Sequence, residues 1–72
     1  MNQQKCKYKV DVTNAGMWIS FYGETIDEIN AKVEKTAKEN RKPLKVEIYT
    51  RDDMNRHPAL ADWKLIETRE IQ

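Results

Sequence analysis

Few side chains of this sequence have the types and spacing that catalysis requires. A covalent mechanism needs a nucleophile, a neighbouring base and a third group that orients the base. The single cysteine, Cys6, and the single serine, Ser20, each fall within a predicted strand, and the one histidine, His57, is distant from both in sequence. We therefore interpret Cys6 as a small buried hydrophobic residue and expect the protein not to be an enzyme. A small enzyme is the residual hypothesis.

A metal or cofactor site is not predicted either. Asp52, Asp53 and His57 lie close together in the sequence, but a structural metal site uses about four ligands at defined spacing. The sequence offers neither a cysteine pair nor a second histidine, and turn formation explains these residues more simply. Two glycines are too few for a dinucleotide-binding fingerprint or a phosphate-binding P-loop. We expect no metal and no small-molecule cofactor.

The length and composition indicate one small domain over residues 1–72. The net charge is +1 although 35% of the residues are charged, so the chain lacks the clear basic excess of strong nucleic-acid binders. No apolar run approaches the roughly 20 residues that span a bilayer, and no apolar signal segment is seen, so we expect no membrane association. One cysteine cannot form an internal disulfide, which favours a reducing, cytoplasmic location.

Two segments near the N-terminus predict a β-hairpin. Over 5–13, apolar and polar residues alternate strictly, which is the pattern of a half-buried strand, and residues 1–4 are expected to be frayed. Residues 14–16, Asn-Ala-Gly, suit a tight turn because Asn and Gly tolerate positive φ. The aromatic-rich segment 17–22 then returns as the second strand, which Gly23 ends.

A helix is predicted over 26–40. Thr25 and Glu28 form a capping box, in which the Thr25 hydroxyl accepts the N–H of Glu28 and the Glu28 carboxylate accepts the N–H of Thr25. The apolar stripe expected to face the sheet comprises Ile26, Ile29, Val33 and Ala37. Acids at the start (Glu24, Asp27, Glu28) and bases at the end (Lys35, Lys38, Arg41, Lys42) complement the helix dipole, which explains them without catalysis or phosphate binding. Pro43 stops the helix.

The C-terminal part predicts two further strands. Alternation over 44–50 indicates the third strand, and 51–62 is a long polar connection with a short helical turn at 59–61. The last strand, 63–71, has an ambiguous register. Its favoured inward frame holds three apolar residues (Trp63, Leu65, Glu67, Arg69, Ile71), with a bulge as the alternative. The order β-β-α-β-β predicts an α+β fold, a two-layer sandwich with one helix packed on a small antiparallel sheet.

The predicted alternation leaves aromatic residues on the sheet face that the helix does not cover. Aromatic side chains and lysines share this face, and we predict them as the binding residues: Trp18, Tyr22, Tyr49, Lys7, Lys9 and Lys45. Monomers rarely expose a contiguous apolar patch of several hundred Å² without a use for it. The alternative is that the long connection or the C-terminal residues fold across this face and bury Trp18.

These features favour a non-catalytic interaction module. It would bind a protein partner, or itself as a homodimer, through the open sheet face or an edge strand. The alternative is a weak single-stranded nucleic-acid-binding domain, in which aromatic residues stack on bases while lysines meet phosphates.

Overall fold

The secondary-structure elements follow the predicted order along the chain. The computed structural model describes residues 6–72, with strands β1 (Tyr8–Asn14) and β2 (Met17–Gly23), helix α1 (Ile26–Glu39), and strands β3 (Leu44–Thr50) and β4 (Lys64–Ile71). A 3₁₀ turn, Pro58–Leu60, lies in the long connection before β4, close to the predicted helical turn. The expected fraying of residues 1–4 and the strand position at Lys5 lie outside the described residues. Strand β1 begins at Tyr8, later than the alternation predicts.

The strands form one four-stranded antiparallel sheet in the order β2-β1-β3-β4. Helix α1 connects β2 to β3 and packs against β1 and β2. The predicted α+β class and the β-β-α-β-β order are confirmed. Among the described residues, β2 and β4 form the two edges of the sheet.

The turn between β1 and β2 uses only two residues, because Asn14 already pairs with Met17. Gly16 has a φ of 96°, a left-handed conformation that side chains with a Cβ rarely adopt. Glycine therefore closes this hairpin with little strain, as the sequence predicts.

The hydrophobic core lies between the sheet and α1. Alternate residues of β1 and β3 meet the apolar stripe of the helix, and the buried members are Val10, Val12, Ile29, Val33, Ala37, Leu44, Val46 and Ile48. Tyr8, Met17, Phe21 and Ile71 are half-buried against them. Each full burial of a Val, Leu or Ile stabilises the fold by about 1.5–3 kcal/mol, so this alternation fixes which face of the sheet is turned toward α1.

The start of α1 confirms the predicted cap with one difference. The Glu28 N–H donates to the Thr25 hydroxyl at 3.2 Å, but the Glu28 carboxylate accepts the N–H of Glu24 at 3.1 Å rather than that of Thr25. Ile26 is 36% exposed, so its predicted place in the buried stripe is wrong. Ile29, one turn later, is the first fully buried residue of the stripe, and it lies against Gly23, the last residue of β2.

The register of β4 changes along the strand. In its C-terminal half, Glu67, Arg69 and Ile71 pair with inward-facing residues of β3, as the favoured frame predicts. A bulge then leaves Ile66 unpaired and places Leu65 opposite Tyr49, on the other face. The single inward frame is therefore wrong before the bulge, and the bulged alternative is confirmed.

No helix within residues 6–72 has both the length and the apolar character needed to cross a bilayer.

Candidate interaction surface

The sheet face turned away from α1, called here the outer face, carries five of the six predicted binding residues. Directly opposed residues of neighbouring strands lie on the same face of a sheet. Pairing across β2, β1 and β3 places Trp18 in one row with Lys45, and Tyr22 in another row with Lys9 and Tyr49. The predicted sharing of one face by these five residues is therefore found in the structure.

Lys7, the sixth predicted residue, is placed differently. It precedes β1, and its Nζ lies 6.0 Å from the centre of the Tyr8 ring. That ring packs against the core on the helix side of the sheet. The strand pairing, which begins at Tyr8, does not place Lys7 in either of these rows.

A polar band crosses the outer face between the two aromatic rows. It consists of Ser20, Asp11, Glu47 and Thr68, one residue from each strand. The Ser20 hydroxyl donates to Asp11 Oδ1 at 2.6 Å, and Lys9 Nζ lies 3.8 Å from Asp11 Oδ2. Asp11 is only 7% exposed. This polar band therefore divides the aromatic patch predicted from alternation. The ammonium group of Lys9 already lies beside the carboxylate of Asp11.

Tyr49 lies in the interior of the sheet beside this band. Lys9 Nζ stands 5.3 Å from the centre of the Tyr49 ring, a cation–π distance. Burial raises the pKa of Tyr49 above its ordinary value of 10, and the carboxylates of Glu47 and Asp11 raise it further. Tyr49 is therefore a neutral, half-buried side chain in a packed cluster, with part of its ring covered by Lys9.

The connection before β4 covers the outer face at Tyr22. The Trp63 ring lies 5.8 Å from the Tyr22 ring, centre to centre, with the two planes tilted by 34°. Trp63 Nε1 donates to the carbonyl of Pro58 at 3.0 Å, which holds the indole in this position. The residue just before β4 therefore packs on the outer face at Tyr22, whereas the alternative stated above requires burial of Trp18, at the opposite end of this face.

Arg51 anchors that connection, and the sequence analysis did not identify it. Its side chain is fully buried although charged. Nε donates to the carbonyl of Cys6 at 2.8 Å, Nη1 donates to the carbonyl of Arg56 at 2.7 Å, and the guanidinium lies 5.2 Å from the Trp63 ring centre. Its position immediately after an alternating strand gave no signal of burial. Its carbonyl partners come from the backbone, which a residue pattern does not reveal.

The opposite end of the outer face remains open. Trp18 is 72% exposed, so neither the long connection nor the C-terminal residues bury it. Lys45, in the same row, is exposed and pairs with Glu70 of β4. The Trp18 indole is therefore exposed to solvent on the edge strand β2.

Alternate backbone groups of β2 turn away from the sheet at this edge. The carbonyl of Tyr22 accepts a hydrogen bond from Lys32 Nζ of α1 at 2.7 Å, so it points away from β1. Backbone groups along an antiparallel strand alternate in direction, and Ser20 and Trp18 therefore also turn their N–H and C=O groups outward. No charged residue occurs within Met17–Gly23.

The residues weighed for catalysis and metal binding have structural partners. Cys6 is buried, and its pKa is raised, chiefly by burial and then by the charge of Glu24. His57 Nδ1 accepts the N–H of Ala59 at 3.1 Å, and Asp53 Oδ2 accepts the N–H of Asp62 at 3.1 Å. Within residues 6–72 there is no group of three or more His, Cys, Asp or Glu side chains arranged to hold a metal ion.

Comparison of the chain with protein-family models, with curated proteins and with solved structures finds no match.

Proposed function

We propose that this domain is a non-catalytic interaction module that binds a protein through Trp18 and the adjoining edge strand β2. The exposure of Trp18 supports the proposal most directly. Tryptophan is a large apolar side chain and is enriched among the residues that dominate binding energy at protein interfaces. Here it is 72% exposed on a sheet whose core does not use it. A position with only a structural role would favour a polar residue on this open face.

The charges of the outer face favour a protein over a single-stranded nucleic acid. Asp11 and Glu47 lie at its centre, and Lys9 is engaged by Asp11 and by the Tyr49 ring. The phosphate groups of a nucleic acid bound to this face would therefore lie close to carboxylates of the same charge. Stacking of bases also needs accessible rings, whereas Tyr22 is packed against Trp63. Nucleic-acid binding is accordingly the competing outcome of the test below.

The absence of catalysis belongs to the same proposal. Cys6 is buried with a raised pKa, and the Ser20 hydroxyl donates to a carboxylate on the outer face without a histidine beside it. A single buried cysteine also suits the reducing conditions of the cytoplasm, where we place the protein.

The proposal is tested by comparing two exposed apolar positions. Wild-type protein, Trp18→Ala and Leu60→Ala are immobilised and exposed to cell lysate with and without nuclease, and any retained protein is then purified and titrated. Leu60 is the matched control, because it is 73% exposed but lies in the connection before β4. We expect Trp18→Ala to weaken the purified complex by about 2 kcal/mol, roughly 30-fold in Kd, and Leu60→Ala to leave it unchanged.

Two results would contradict the proposal. Equal affinity of wild type and Trp18→Ala would remove Trp18 from the interface. Retention that disappears with nuclease, together with a Kd that rises steeply with salt, would show that the ligand is a nucleic acid.

A further inference from the structure

Strand β2 is an unprotected edge. It is seven residues long, its pairing with β1 is continuous, and it contains neither proline nor a charged side chain. Natural sheets usually protect such edges with charges, prolines or bulges, because unpaired backbone groups attract another strand. The lack of these features over the whole of β2 suits an edge that pairs with a further strand.

The same strand is complementary to itself. If two copies of β2 run antiparallel with Ser20 opposite Ser20 of the partner subunit, Trp18 lies opposite the partner's Tyr22, and the reverse pair forms by symmetry. Trp18, Ser20 and Tyr22 are the residues whose backbone groups turn outward, so each opposed pair exchanges backbone hydrogen bonds. On the helix side, Ile19 lies opposite the partner's Phe21, and both are half-buried apolar residues in the single chain.

From this register we propose that β2 pairs with β2 of a second copy across a two-fold axis through Ser20, joining two sheets into one of eight strands. The inference rests on the proposed function, because it names the partner that the same edge takes. A second copy fits better than an arbitrary strand for two reasons. Cross-strand aromatic pairs form on one face and aliphatic–aromatic pairs on the other, and no like charges within β2 oppose each other.

Lys32 lies at one end of this edge and leaves the rest of it open. Its Nζ donates to the Tyr22 carbonyl and lies 3.7 Å from Glu28 Oε1. A carbonyl oxygen has two lone pairs, so the Tyr22 carbonyl retains a site for the N–H of the partner's Trp18. On the helix side, Lys32 Nζ also lies 5.8 Å from the centre of the Phe21 ring, whereas Trp18 and Ser20, farther along the strand, are exposed. The two helices of the dimer lie on the same face of the joined sheet, which leaves both outer faces continuous.

The first measurement is the mass in solution at high micromolar concentration, by light scattering coupled to gel filtration. The proposal expects the mass of two chains. Ser20→Lys places like charges directly opposite each other at the two-fold axis, and we expect the dimer constant to weaken by about tenfold or more. The matched control is Thr68→Lys, which adds the same charge to the same polar band at the other edge of the sheet and should leave the dimer intact.

Cross-linking tests the register and does not depend on whether Ser20→Lys folds. In a Cys6→Ala background, Ser20→Cys places two thiols on opposed residues whose Cα atoms lie about 5.5 Å apart, within disulfide range. Oxidised glutathione should link this variant into dimers and leave Thr68→Cys largely unlinked. A dimer in which Thr68→Cys links and Ser20→Cys does not would show that β4 forms the interface, which overturns the proposal.

A mass of one chain at high micromolar concentration also overturns the dimer. The proposed function would then be decided by the comparison of Trp18→Ala with Leu60→Ala, which measures the binding of other proteins. If the chain is a monomer and Trp18→Ala still lowers the affinity for another protein, the dimer is overturned and the proposed function stands.

Discussion

The two edge strands of the sheet, β2 and β4, differ in how well they are protected against pairing with a further strand. Strand β2 has no charge and no bulge, and its outward backbone groups lie beside an exposed indole. Strand β4 has a bulge at Ile66 and carries four charged residues, Lys64, Glu67, Arg69 and Glu70. Charges and bulges hinder the addition of a further strand, so β4 is protected and β2 is not.

This difference separates two edges that both expose apolar side chains. Strand β4 also exposes apolar side chains, since Leu65 and Ile66 are each 51% exposed. They lie at the bulge, where the ladder is irregular and a regular strand cannot extend it. On β2 the exposed Trp18 lies within a regular strand. Exposure alone therefore does not distinguish the two edges, whereas the regularity of the backbone beneath it does.

Removal of three of the four charges of β4 should give the largest effect, because these three residues lie where the pairing of β4 with β3 is regular, beyond the bulge. We expect the combined variant Glu67→Thr, Arg69→Thr, Glu70→Thr to associate beyond two chains, because both edges then accept strands and the assembly no longer closes. Light scattering measures the mass, and the same three-residue replacement with Lys is the control that should not polymerise. An unchanged mass for the threonine variant would show that the bulge alone protects β4.

Arg51 tests whether the connection to β4 is held independently of the β2 edge. Arg51→Met keeps much of the side-chain volume but leaves the carbonyls of Cys6 and Arg56 without their guanidinium donors. We expect a loss of about 3 kcal/mol in the free energy of unfolding, measured by urea titration. Arg56→Met, at an exposed side chain, should cost less than about 0.5 kcal/mol. Hydrogen exchange should rise first in the connection and β4, and a uniform rise would argue against local anchoring.

Gly23 tests the packing of α1 against the end of β2. A Cβ at this position would lie 2.9 Å from Cδ1 of Ile29, so Gly23→Ala should cost about 1–3 kcal/mol through overpacking. Adding Ile29→Val removes the clashing methyl, and the two changes should couple by about 1 kcal/mol in a double-mutant cycle. Gly16→Ala is the control, because its cost arises from positive φ in open space and Ile29→Val should not relieve it. Strict additivity at Gly23 would contradict the overpacking argument.

The fold was largely predictable because its signals are local. Alternation around Val10, Val46 and Ile48 and the cap at Thr25 depend on residues a few positions apart, and each indicates one element and one buried face. The α+β class and the element order follow from these signals. The strand order β2-β1-β3-β4 did not follow, because several arrangements of the same four strands bury the same apolar stripes.

The candidate surface was predictable only in part, because its details depend on distant residues. Alternation correctly placed Trp18, Tyr22 and Tyr49 on one face. The division of that face by the polar band required the cross-strand register, and the coverage of Tyr22 by Trp63 depends on a long connection without periodic pattern. The role of Trp18 in binding stays a prediction.

Cys6 provides the smallest expected effect and a local probe of the packing beneath the connection. It is buried, its carbonyl accepts the Arg51 Nε–H, and its thiol pKa is raised above the ordinary value of 9.0, first by burial and then by Glu24. Only the thiolate reacts quickly with disulfide reagents, so labelling of the native protein at neutral pH should be slow and should accelerate in urea. Fast labelling in the native state would show that the site opens readily.

The raised pKa also fixes the sign of an alkaline effect on stability. The folded state holds the thiol proton more tightly than the unfolded state, so the contribution is fully present below pH 9 and is lost as the pH rises through the raised value. Cys6→Ala should cost about 1 kcal/mol at neutral pH and flatten the first part of the alkaline decline in the urea midpoint. The raised pKa of Tyr49 adds a further decline above pH 10, which Cys6→Ala should leave in place. A decline that is identical in wild type and Cys6→Ala would assign the whole alkaline effect to groups other than this thiol.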